Sequence, residues 1–279
     1  MSAGEVRDFL ARHGLAANRD LGQNFLVESA LADRLVELAG VEAGEGVVEI
    51  GTGLGILTRA LARRGARVVT LEVDAGLVRA LEADAVLPGS VTLVHADALE
   101  VDLAALVERA GARVRLVANL PYSISAPLLR RLLDLRERLV DWSVMLQRDV
   151  AQRLLAEPGT RDYGSLAVLH RLLVDVSRGM DLSPRCFFPV PKVRSTFIRV
   201  RPRSDTPLTA DELATLETCA RAAFSKRRKT LANAMREQLG AEAADLIAAS
   251  GIDPGLRAQQ LDPDSFLALS RALAPRLGK

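Results

Sequence analysis

The chain has 279 residues, enough for one sizeable core and a smaller second domain, and its 49% hydrophobic and 26% charged residues are typical of a globular protein. No apolar run approaches the length of a bilayer helix, and residues 1–12 lack the apolar stretch of a signal peptide, so we expect a cytoplasmic protein with no membrane partner. The net charge of +2 does not by itself indicate nucleic-acid binding.

Metal chemistry has little support in the sequence. The two cysteines, Cys186 and Cys219, are far apart, and the three histidines are scattered without an acidic cluster at ligand spacing. We therefore expect no metal site.

Strands and helices alternate along the first part of the chain. Gly40 ends a predicted helix over 27–40. Buried strands are predicted at 47–50, 67–72, 91–95, 113–118 and 142–147, and helices at 56–64, 77–85, 103–110 and 126–135, with a further helix ending near 156. This alternation predicts an α/β fold with a doubly wound, mostly parallel, Rossmann-like sheet.

The pattern changes in the second part of the chain. Residues 166–176 and 196–200 are predicted to be β-structure on either side of a proline-containing loop at 183–191. Residues 201–207 are typical of a linker, and from 210 onward the segments are helical and rich in Ala and Leu. We therefore expect an α/β domain at 1–203 and a small all-helical domain at 204–279.

A glycine turn joins the first predicted strand to the next helix. Gly51, Gly53 and Gly55 allow unusual backbone torsions and close approach of a ligand. The dinucleotide fingerprint needs a glycine where this chain has Ile56, so a pyrophosphate cradle is poorly matched. The turn suits a nucleoside cofactor without phosphate, such as S-adenosylmethionine.

Two acids follow the next two strands. Glu72 ends the second strand, where a carboxylate can accept hydrogen bonds from both ribose hydroxyls of a nucleoside. Asp97 follows the third strand, where it can accept from an adenine amino group. Each acid alone is an ordinary turn residue, but the combination with the glycine turn favours a cofactor site.

The tetrapeptide Asn119-Leu120-Pro121-Tyr122 ends the fourth predicted strand. The Asn119 side-chain oxygen and a free backbone carbonyl can accept both hydrogens of a planar amino group, and Tyr122 can stack on the ring that carries it. This arrangement suits methylation of an exocyclic nucleobase nitrogen. A structural strand-to-turn transition is the alternative for these four residues taken alone.

A basic segment lies in the predicted helical domain. Between Arg221 and Arg236 there are six cations and no acid. A solvated helix face is the usual explanation of such a run, and contact with nucleic-acid phosphates is the functional one.

Several ordered motifs together resemble the ribosomal RNA adenine N6-dimethyltransferase family, the dimethyladenosine transferases of small-subunit ribosome maturation. The resemblance runs from about Leu21 to Asn233. Besides the glycine turn and the Asn119 motif, it rests on Gly22-Gln23-Asn24-Phe25-Leu26, Met145-Leu146-Gln147-Arg148, Tyr163-Gly164-Ser165-Leu166, Phe187-x-Pro189-x-Pro191-Lys192-Val193-x-Ser195 and 223–231.

The resemblance implies a role for each matching residue. Asn119 and the Leu120 carbonyl would hold the target N6, while Tyr122 and Phe187 would sandwich the flipped adenine, with Phe188 as the competitor of Phe187. The resemblance implies that S-adenosylmethionine is contacted, or its pocket framed, by Asn24, Leu26, Gly51, Gly53, Glu72, Asp97, Ala98 and Asn119. It implies that the catalytic residues are Asn119, Leu120, Pro121, Tyr122 and Phe187. It also implies that RNA is bound by Lys226, Arg227, Arg228 and Lys229.

The implied activity is methyl transfer from S-adenosylmethionine to N6 of two adjacent adenosines near the 3′ end of small-subunit (16S) ribosomal RNA. The expected partner is the precursor of the small ribosomal subunit, and we expect the protein to be a monomer. One departure from the family is visible, since residues 16–21 contain a single cation. A large-subunit methyltransferase of the antibiotic-resistance type and a ribosome-assembly factor on the same scaffold stay open, and a nicotinamide oxidoreductase is disfavoured by Ile56.

Overall fold

A computed structural model describes residues 1–204 and 208–277 of the chain. The chain divides into two compact units, the first formed by Met1–Ala151 with Ser177–Pro202 and the second by Gln152–Val176 with Arg203–Lys279. The sequence predicts a division after residue 203, whereas the second unit also includes Gln152–Val176. Of the predicted linker at 201–207, Arg201 and Pro202 end a strand, and 205–207 lie outside the described residues.

Residues 1–204 and 208–277 contain twelve α-helices and nine β-strands. The helices are α1 (Ala3–Arg12), α2 (Ser29–Ala39), α3 (Ile56–Arg63), α4 (Ala75–Ala83), α5 (Leu103–Ala110), α6 (Ser125–Asp134), α7 (Arg148–Leu155), α8 (Ser165–Leu173), α9 (Ala210–Phe224), α10 (Leu231–Leu239), α11 (Ala243–Ala249) and α12 (Pro263–Leu277). The strands are β1 (Phe25–Leu26), β2 (Gly46–Ile50), β3 (Arg67–Glu72), β4 (Val91–His95), β5 (Val114–Asn119), β6 (Leu139–Gln147), β7 (Val174–Leu182), β8 (Phe187–Phe188) and β9 (Ser195–Pro202).

The main sheet has seven strands in the order β4-β3-β2-β5-β6-β9-β7. Strands β4, β3, β2, β5 and β6 are parallel to one another, and β9 is antiparallel to β6. The chain proceeds outward from β2 through β3 to β4 and then returns to the other side of β2 as β5. The carboxyl ends of β2 and β5 therefore border the point where the winding reverses, which is where such sheets bind ligands. The doubly wound, mostly parallel fold and the helical carboxy-terminal region expected from the sequence are confirmed.

Continuous apolar runs explain why the central strands lie where they do. All five residues of β2 and the first five of β5 are buried, as expected of strands covered on both faces. Val48 on β2 pairs with Val69 on β3 and with Leu116 on β5. The apolar faces of α2 and α3 pack on this sheet in one core cluster that includes Leu35, Leu61 and Val117.

Two local predictions need correction. Residues 166–176, predicted as β-structure, form most of α8, and β7 starts only at Val174. The run is rich in Leu, which is not branched at Cβ and therefore favours helix, and its buried positions Val168, Leu169 and Leu172 recur at helical spacing. Helix α1, which the sequence reading did not identify, begins with a capping box in which Ser2 and Glu5 satisfy each other's backbone N–H groups.

A buried charged cluster ties β5, β6 and β9 together near the amino ends of β5 and β6. The Arg115 guanidinium donates to Glu45 at 2.7 Å and also to Asp141, which is only 1% exposed. Arg199 on β9 donates a second hydrogen bond to Asp141, from Nε at 2.9 Å. Asp141 thus balances two arginines in a region of low dielectric.

The second unit has a small aromatic core of its own. The ring of Phe224, at the end of α9, stacks on Phe266 of α12 with centroids 5.5 Å apart and meets the edge of Tyr163 at 5.8 Å. Phe266 and Tyr163 are fully buried. Within residues 1–204 and 208–277, no helix is both long enough and apolar enough to cross a membrane.

Candidate functional site

A pocket of about 290 Å³ opens at the carboxyl edge of the sheet in the first unit. The turns after β2, β3, β4 and β5 form its floor and sides, and the segment before β1 closes it on another side. Its lining includes ten of the residues predicted from the sequence, namely Asn24, Gly51, Gly53, Glu72, Asp97, Ala98, Asn119, Leu120, Pro121 and Tyr122.

The glycine turn is a closed structure with its own hydrogen bonds. Gly51, Gly53 and Gly55 all have positive φ angles, of 83°, 55° and 69°. The Gly51 and Thr52 N–H groups both donate to the Leu71 carbonyl, and the Gly53 N–H donates to Glu72 Oε2 at 2.8 Å. These N–H groups therefore do not form an open cradle for a pyrophosphate, which such turns bind through unpaired backbone donors.

Glu72 is the central carboxylate of the pocket. Its side chain is 5% exposed and accepts from the Gly53 and Asp74 backbone N–H groups, at 2.8 and 3.0 Å. Burial raises the pKa of this carboxyl above its usual value, although the backbone donors oppose the shift. Asp97 is held differently, because Oδ1 accepts from the Leu99 N–H at 2.7 Å. Each carboxylate keeps acceptor capacity for a hydroxyl or amino group.

A third carboxyl, that of Glu49, lies beneath the glycine turn. Glu49 is completely buried, and its Oε2 accepts from the Thr58 and Thr70 hydroxyls at 2.6 and 2.7 Å. Because Thr70 gives its proton to Glu49, Thr52 in the glycine turn donates in the 2.8 Å contact with Thr70. Burial raises the pKa of Glu49 to about 8, so this carboxyl is mostly protonated at neutral pH.

The Asn119 amide occupies the end of β5 at the wall of the pocket. Its Nδ2 donates to the backbone carbonyl of Asn24 at 2.9 Å. A carbonyl can only accept, so this bond identifies which end of the amide is nitrogen and leaves Oδ1 as an acceptor for a ligand. The next residue, Leu120, also lines the pocket. Two successive residues, Asn119 and Leu120, thus border the same pocket.

The ring of Tyr122 is held in place by a second strand. Its hydroxyl and the Ser195 hydroxyl lie 2.7 Å apart, and Ser195, the first residue of β9, is fully buried. Burial raises the pKa of Tyr122, so the phenol is neutral at physiological pH. The half-buried ring offers an apolar face at the pocket.

Residues 18–24, which we call the N-terminal strap, close the pocket opposite the sheet edge. The strap folds on itself, since the Gln23 N–H donates to the Asn18 carbonyl at 3.1 Å and Asn24 Nδ2 donates to the Gly22 carbonyl at 3.1 Å. Gln23 Nε2 also donates to Asp74 at 2.9 Å. Asp20, Leu21, Gly22 and Gln23 also line the pocket, and of these Gly22 and Gln23 belong to the amino-terminal motif on which the family resemblance rests.

Two predicted site residues, Leu26 and Phe187, do not reach the pocket. They pair with each other in the two-stranded β1–β8 sheet and pack in the main core cluster, with Phe187 only 1% exposed. Phe188 points to the other side of this sheet, where it packs on the α1 cluster and lies under the Arg7 guanidinium at 5.6 Å. Stacking of Phe187 on a base therefore stays a prediction, and it would require the ring to leave this packing.

The four basic residues predicted to grip RNA lie in the turn between α9 and α10 of the second unit. All four are exposed, but they face two different concavities. Lys226 and Lys229 line one with Arg236, whereas Arg227 and Arg228 line another. Arg227 also donates to the Arg161 carbonyl and, at 3.0 Å, to the Tyr163 carbonyl, so it braces a neighbouring loop.

The concavity at Arg228 contains cations that the sequence reading missed. Arg153, Arg161 and Arg257 join Arg227 and Arg228 there, with Asp162 as the acid among the lining residues. Arg153, Arg161 and Arg257 lie outside the basic run at 221–236, so no local run of charge marks them. Within the part of the chain that the structure describes, no group of three or more His, Cys, Asp or Glu side chains is placed to hold a metal ion.

The chain is similar to known proteins over almost its full length. A family model described as "Ribosomal RNA adenine dimethylase" matches residues 14–274. "Ribosomal RNA small subunit methyltransferase A" of Magnetococcus marinus is 39% identical over 98% of this chain and 97% of its own length, and the protein of the same name from Rhodospirillum rubrum is 44% identical over 96% and 92%. A solved dimethyladenosine transferase from Plasmodium falciparum is 22% identical and shares the fold, with a TM-score of 0.74 over 90% of this chain and 98% of that one.

Proposed function

Because the chain belongs to the ribosomal RNA adenine dimethylase family, we propose that it transfers methyl groups from S-adenosylmethionine to N6 of two adjacent adenosines near the 3′ end of small-subunit ribosomal RNA. The product is N6,N6-dimethyladenosine, formed during ribosome maturation. The observation that carries the proposal is the Asn119 amide, whose nitrogen is bound to the Asn24 carbonyl, so that its oxygen is left for a substrate in the pocket that Leu120 also lines.

The residues at the pocket fit S-adenosylmethionine better than a dinucleotide. Glu72 would accept from the ribose hydroxyls and Asp97 from the adenine amino group, with Ala98 against the base. The backbone donors of the glycine turn are already bound to Leu71 and Glu72, which suits a cofactor without phosphate. This argument also disfavours a nicotinamide oxidoreductase.

The acceptor residues position a weak nucleophile. Asn119 Oδ1 and the Leu120 carbonyl would each accept one N6 hydrogen, which makes the nitrogen pyramidal and directs its lone pair into the pocket. S-adenosylmethionine supplies a methyl group on a positively charged sulfur, which is already strongly electrophilic. Alignment of two reactants in this way can lower a barrier by about 7–11 kcal/mol.

The chemistry balances without a strong base in the site. S-adenosylmethionine would supply the methyl group and keep the electron pair of the broken carbon–sulfur bond on its sulfur, while the N6 lone pair would form the new bond and one N6 proton would pass to water. The alkylated nitrogen is acidic enough to lose this proton unaided. After the first transfer one N6 hydrogen remains, so one of the two acceptors can still orient the nitrogen for the second.

The target adenine must leave its stack before its N6 can reach Asn119, at a cost of a few kcal/mol. Stacking on Tyr122 would recover roughly 1–3 kcal/mol of this. The Tyr122 ring is suited to this role because the Ser195 hydroxyl fixes its orientation. The second unit would supply phosphate contacts through the turn at 226–229, and the partner is the precursor of the small subunit, bound by a monomer.

Two other functions make distinct predictions. A large-subunit methyltransferase of the antibiotic-resistance type would modify the other ribosomal RNA, and an assembly factor would bind the subunit without methylating it. The names of the curated relatives at 39% and 44% identity favour the small-subunit substrate. The pocket lined by Asn119, Tyr122, Glu72 and Asp97 favours catalysis over assembly alone.

The test is methylation of immature subunits with a labelled methyl donor, followed by mapping of the modified nucleotides. We expect label on two adjacent adenosines near the 3′ end of the small-subunit RNA. Label confined to large-subunit RNA would establish the antibiotic-resistance type instead. Binding to small subunits without any label would establish the assembly factor.

A further inference from the structure

The Asn119 amide can serve the proposed reaction in only one orientation. Oδ1 accepts a hydrogen bond, whereas Nδ2 would present two donors to the two donors of an adenine amino group and repel it. A rotation of 180° about the last side-chain bond exchanges the two ends at little steric cost. Some contact must therefore select the productive orientation.

The selecting contact is the 2.9 Å hydrogen bond from Asn119 Nδ2 to the backbone carbonyl of Asn24. The flipped amide would bring Oδ1 against this carbonyl, and two acceptors would face each other. Asn24 belongs to the N-terminal strap and lies 95 residues away from Asn119 in sequence. The orientation of the amide thus depends on a segment outside the Asn119-Leu120-Pro121-Tyr122 motif.

The strap holds the Asn24 carbonyl through several independent contacts. Gln23 Nε2 donates to Asp74, and Asn24 Nδ2 donates to the Gly22 carbonyl. After Asn24 the chain enters β1, where Phe25 is buried and pairs with Phe188. The carbonyl is therefore fixed on both sides along the chain.

Gly22 brings the strap close to Tyr122 and Ser123, which follow the Asn119-Leu120 pair. Its φ of 67° lies in the left-handed region, and a Cβ at this position would lie 3.3 Å from Ser123 Oγ and 3.4 Å from the Tyr122 nitrogen. The strap thus rests on the residues that follow Leu120, and a Cβ at Gly22 would require it or the Ser123 side chain to shift by a few tenths of an ångström. Gly14 offers a matched comparison, because its φ is 64° and no atom lies within 4 Å of an added Cβ.

We propose that the strap is a positioning element for the acceptor, in which the Asn24 backbone carbonyl determines which end of the Asn119 amide faces the target N6. The inference rests on the proposed function, because it assigns the strap a part in the same methyl transfer. The strap also lines the donor pocket, so a role in donor binding alone is the competing explanation. Turnover at a saturating concentration of donor distinguishes acceptor positioning from donor binding, because a defect in donor binding alone would not lower it.

The variant Gly22→Ala adds backbone strain and a tight contact at the place where the strap meets Ser123, whereas Gly14→Ala adds the same backbone strain with no atom within 4 Å of the new Cβ. Gln23→Ala is a second variant, which releases the contact with Asp74 and leaves Gly22 unchanged. At saturating S-adenosylmethionine and small subunits, we expect kcat of both strap variants to fall about 2- to 10-fold, the range that loss of one ordinary hydrogen bond changes an equilibrium. Gly14→Ala should retain the wild-type kcat.

Hydrogen exchange of the Asn119 side-chain amide, measured by NMR on the full chain, tests the contact directly. The variant Asn119→Asp assigns the amide signal. We expect slow hydrogen exchange of the Nδ2 proton in the wild type and in Gly14→Ala, and faster exchange in Gly22→Ala and Gln23→Ala. Unchanged exchange in both strap variants, or an unchanged kcat with only weaker donor binding, would overturn the proposal. The amide signal does not depend on activity, so an error in the proposed function would be recognised separately.

Discussion

The buried carboxyl of Glu49 makes the stability of the first unit depend on pH in a definite direction. An ordinary glutamate has a pKa of 4.5, whereas burial raises the pKa of Glu49 to about 8. Between these values the folded protein holds a proton that the unfolded chain has lost. The associated stability is fully present below pH 4.5 and is lost as the pH rises toward 8, by about 1.4 kcal/mol per pH unit.

The variant Glu49→Gln removes the ionisable group and keeps the acceptor for the Thr58 and Thr70 hydroxyls. Relative to the wild type, the variant should gain about 1.4 kcal/mol in free energy of unfolding for each pH unit between pH 5.5 and 7.5. Urea unfolding followed by fluorescence measures this, because Trp142, the one tryptophan, is buried on β6 in the same unit.

Thr70→Val is the control for this experiment. It removes a hydroxyl that donates to Glu49 but leaves the carboxyl, so it should lower stability at every pH and keep the wild-type slope. Parallel pH profiles for the wild type and Glu49→Gln would refute the reasoning, since they would show that Glu49 is ionised in the folded protein.

Three other substitutions test separate parts of the structure. Glu72→Ala should weaken S-adenosylmethionine binding about 10- to 100-fold by calorimetry, the effect of losing hydrogen bonds to a charged acceptor, and an unchanged dissociation constant would remove Glu72 from the donor site. Arg228→Ala should reduce the slope of log RNA affinity against log salt by about 1, since one phosphate contact is lost, and an unchanged slope would make Arg228 a solvated residue. Asp141→Asn should cost about 3–5 kcal/mol of unfolding free energy because Arg199 loses its buried counter-ion and Arg115 keeps only Glu45, and a loss below 1 kcal/mol would show that solvent reaches the cluster.

The sequence specified the sheet and the strand-end motifs because both are local. Runs such as 113–118 are continuous and apolar, so the parallel strands were predicted within a few residues, and the turns after them fell at one edge of the sheet. The resemblance to the rRNA adenine dimethyltransferase family is confirmed by the match over residues 14–274. The prediction of β-structure at 166–176 is wrong because a Leu-rich apolar run fits either a strand or a buried helix.

Long-range contacts set the features that the sequence did not reveal. The hydrogen bond from Asn119 to the Asn24 carbonyl joins residues 95 positions apart in the sequence. Because every residue has a backbone carbonyl, the residue type at position 24 does not predict this contact. Phe187 and Phe188 lie on opposite faces of the two-residue strand β8, and the pairing of β8 with β1 determines which of them is buried in the main core. Alternation along the sequence cannot show this without the partner strand. Arg153 and Arg257 are isolated in sequence and meet the basic turn only in the folded unit.

The most direct test of the account is methyl transfer by Asn119→Ala. If the Asn119 oxygen holds the target amino group, this variant should bind S-adenosylmethionine within about 2-fold of the wild type by calorimetry, while transfer to small subunits falls by roughly 10²–10³-fold, the effect of removing one preorganised hydrogen-bonding group. Near-wild-type turnover of the variant, with donor affinity intact, would contradict the account.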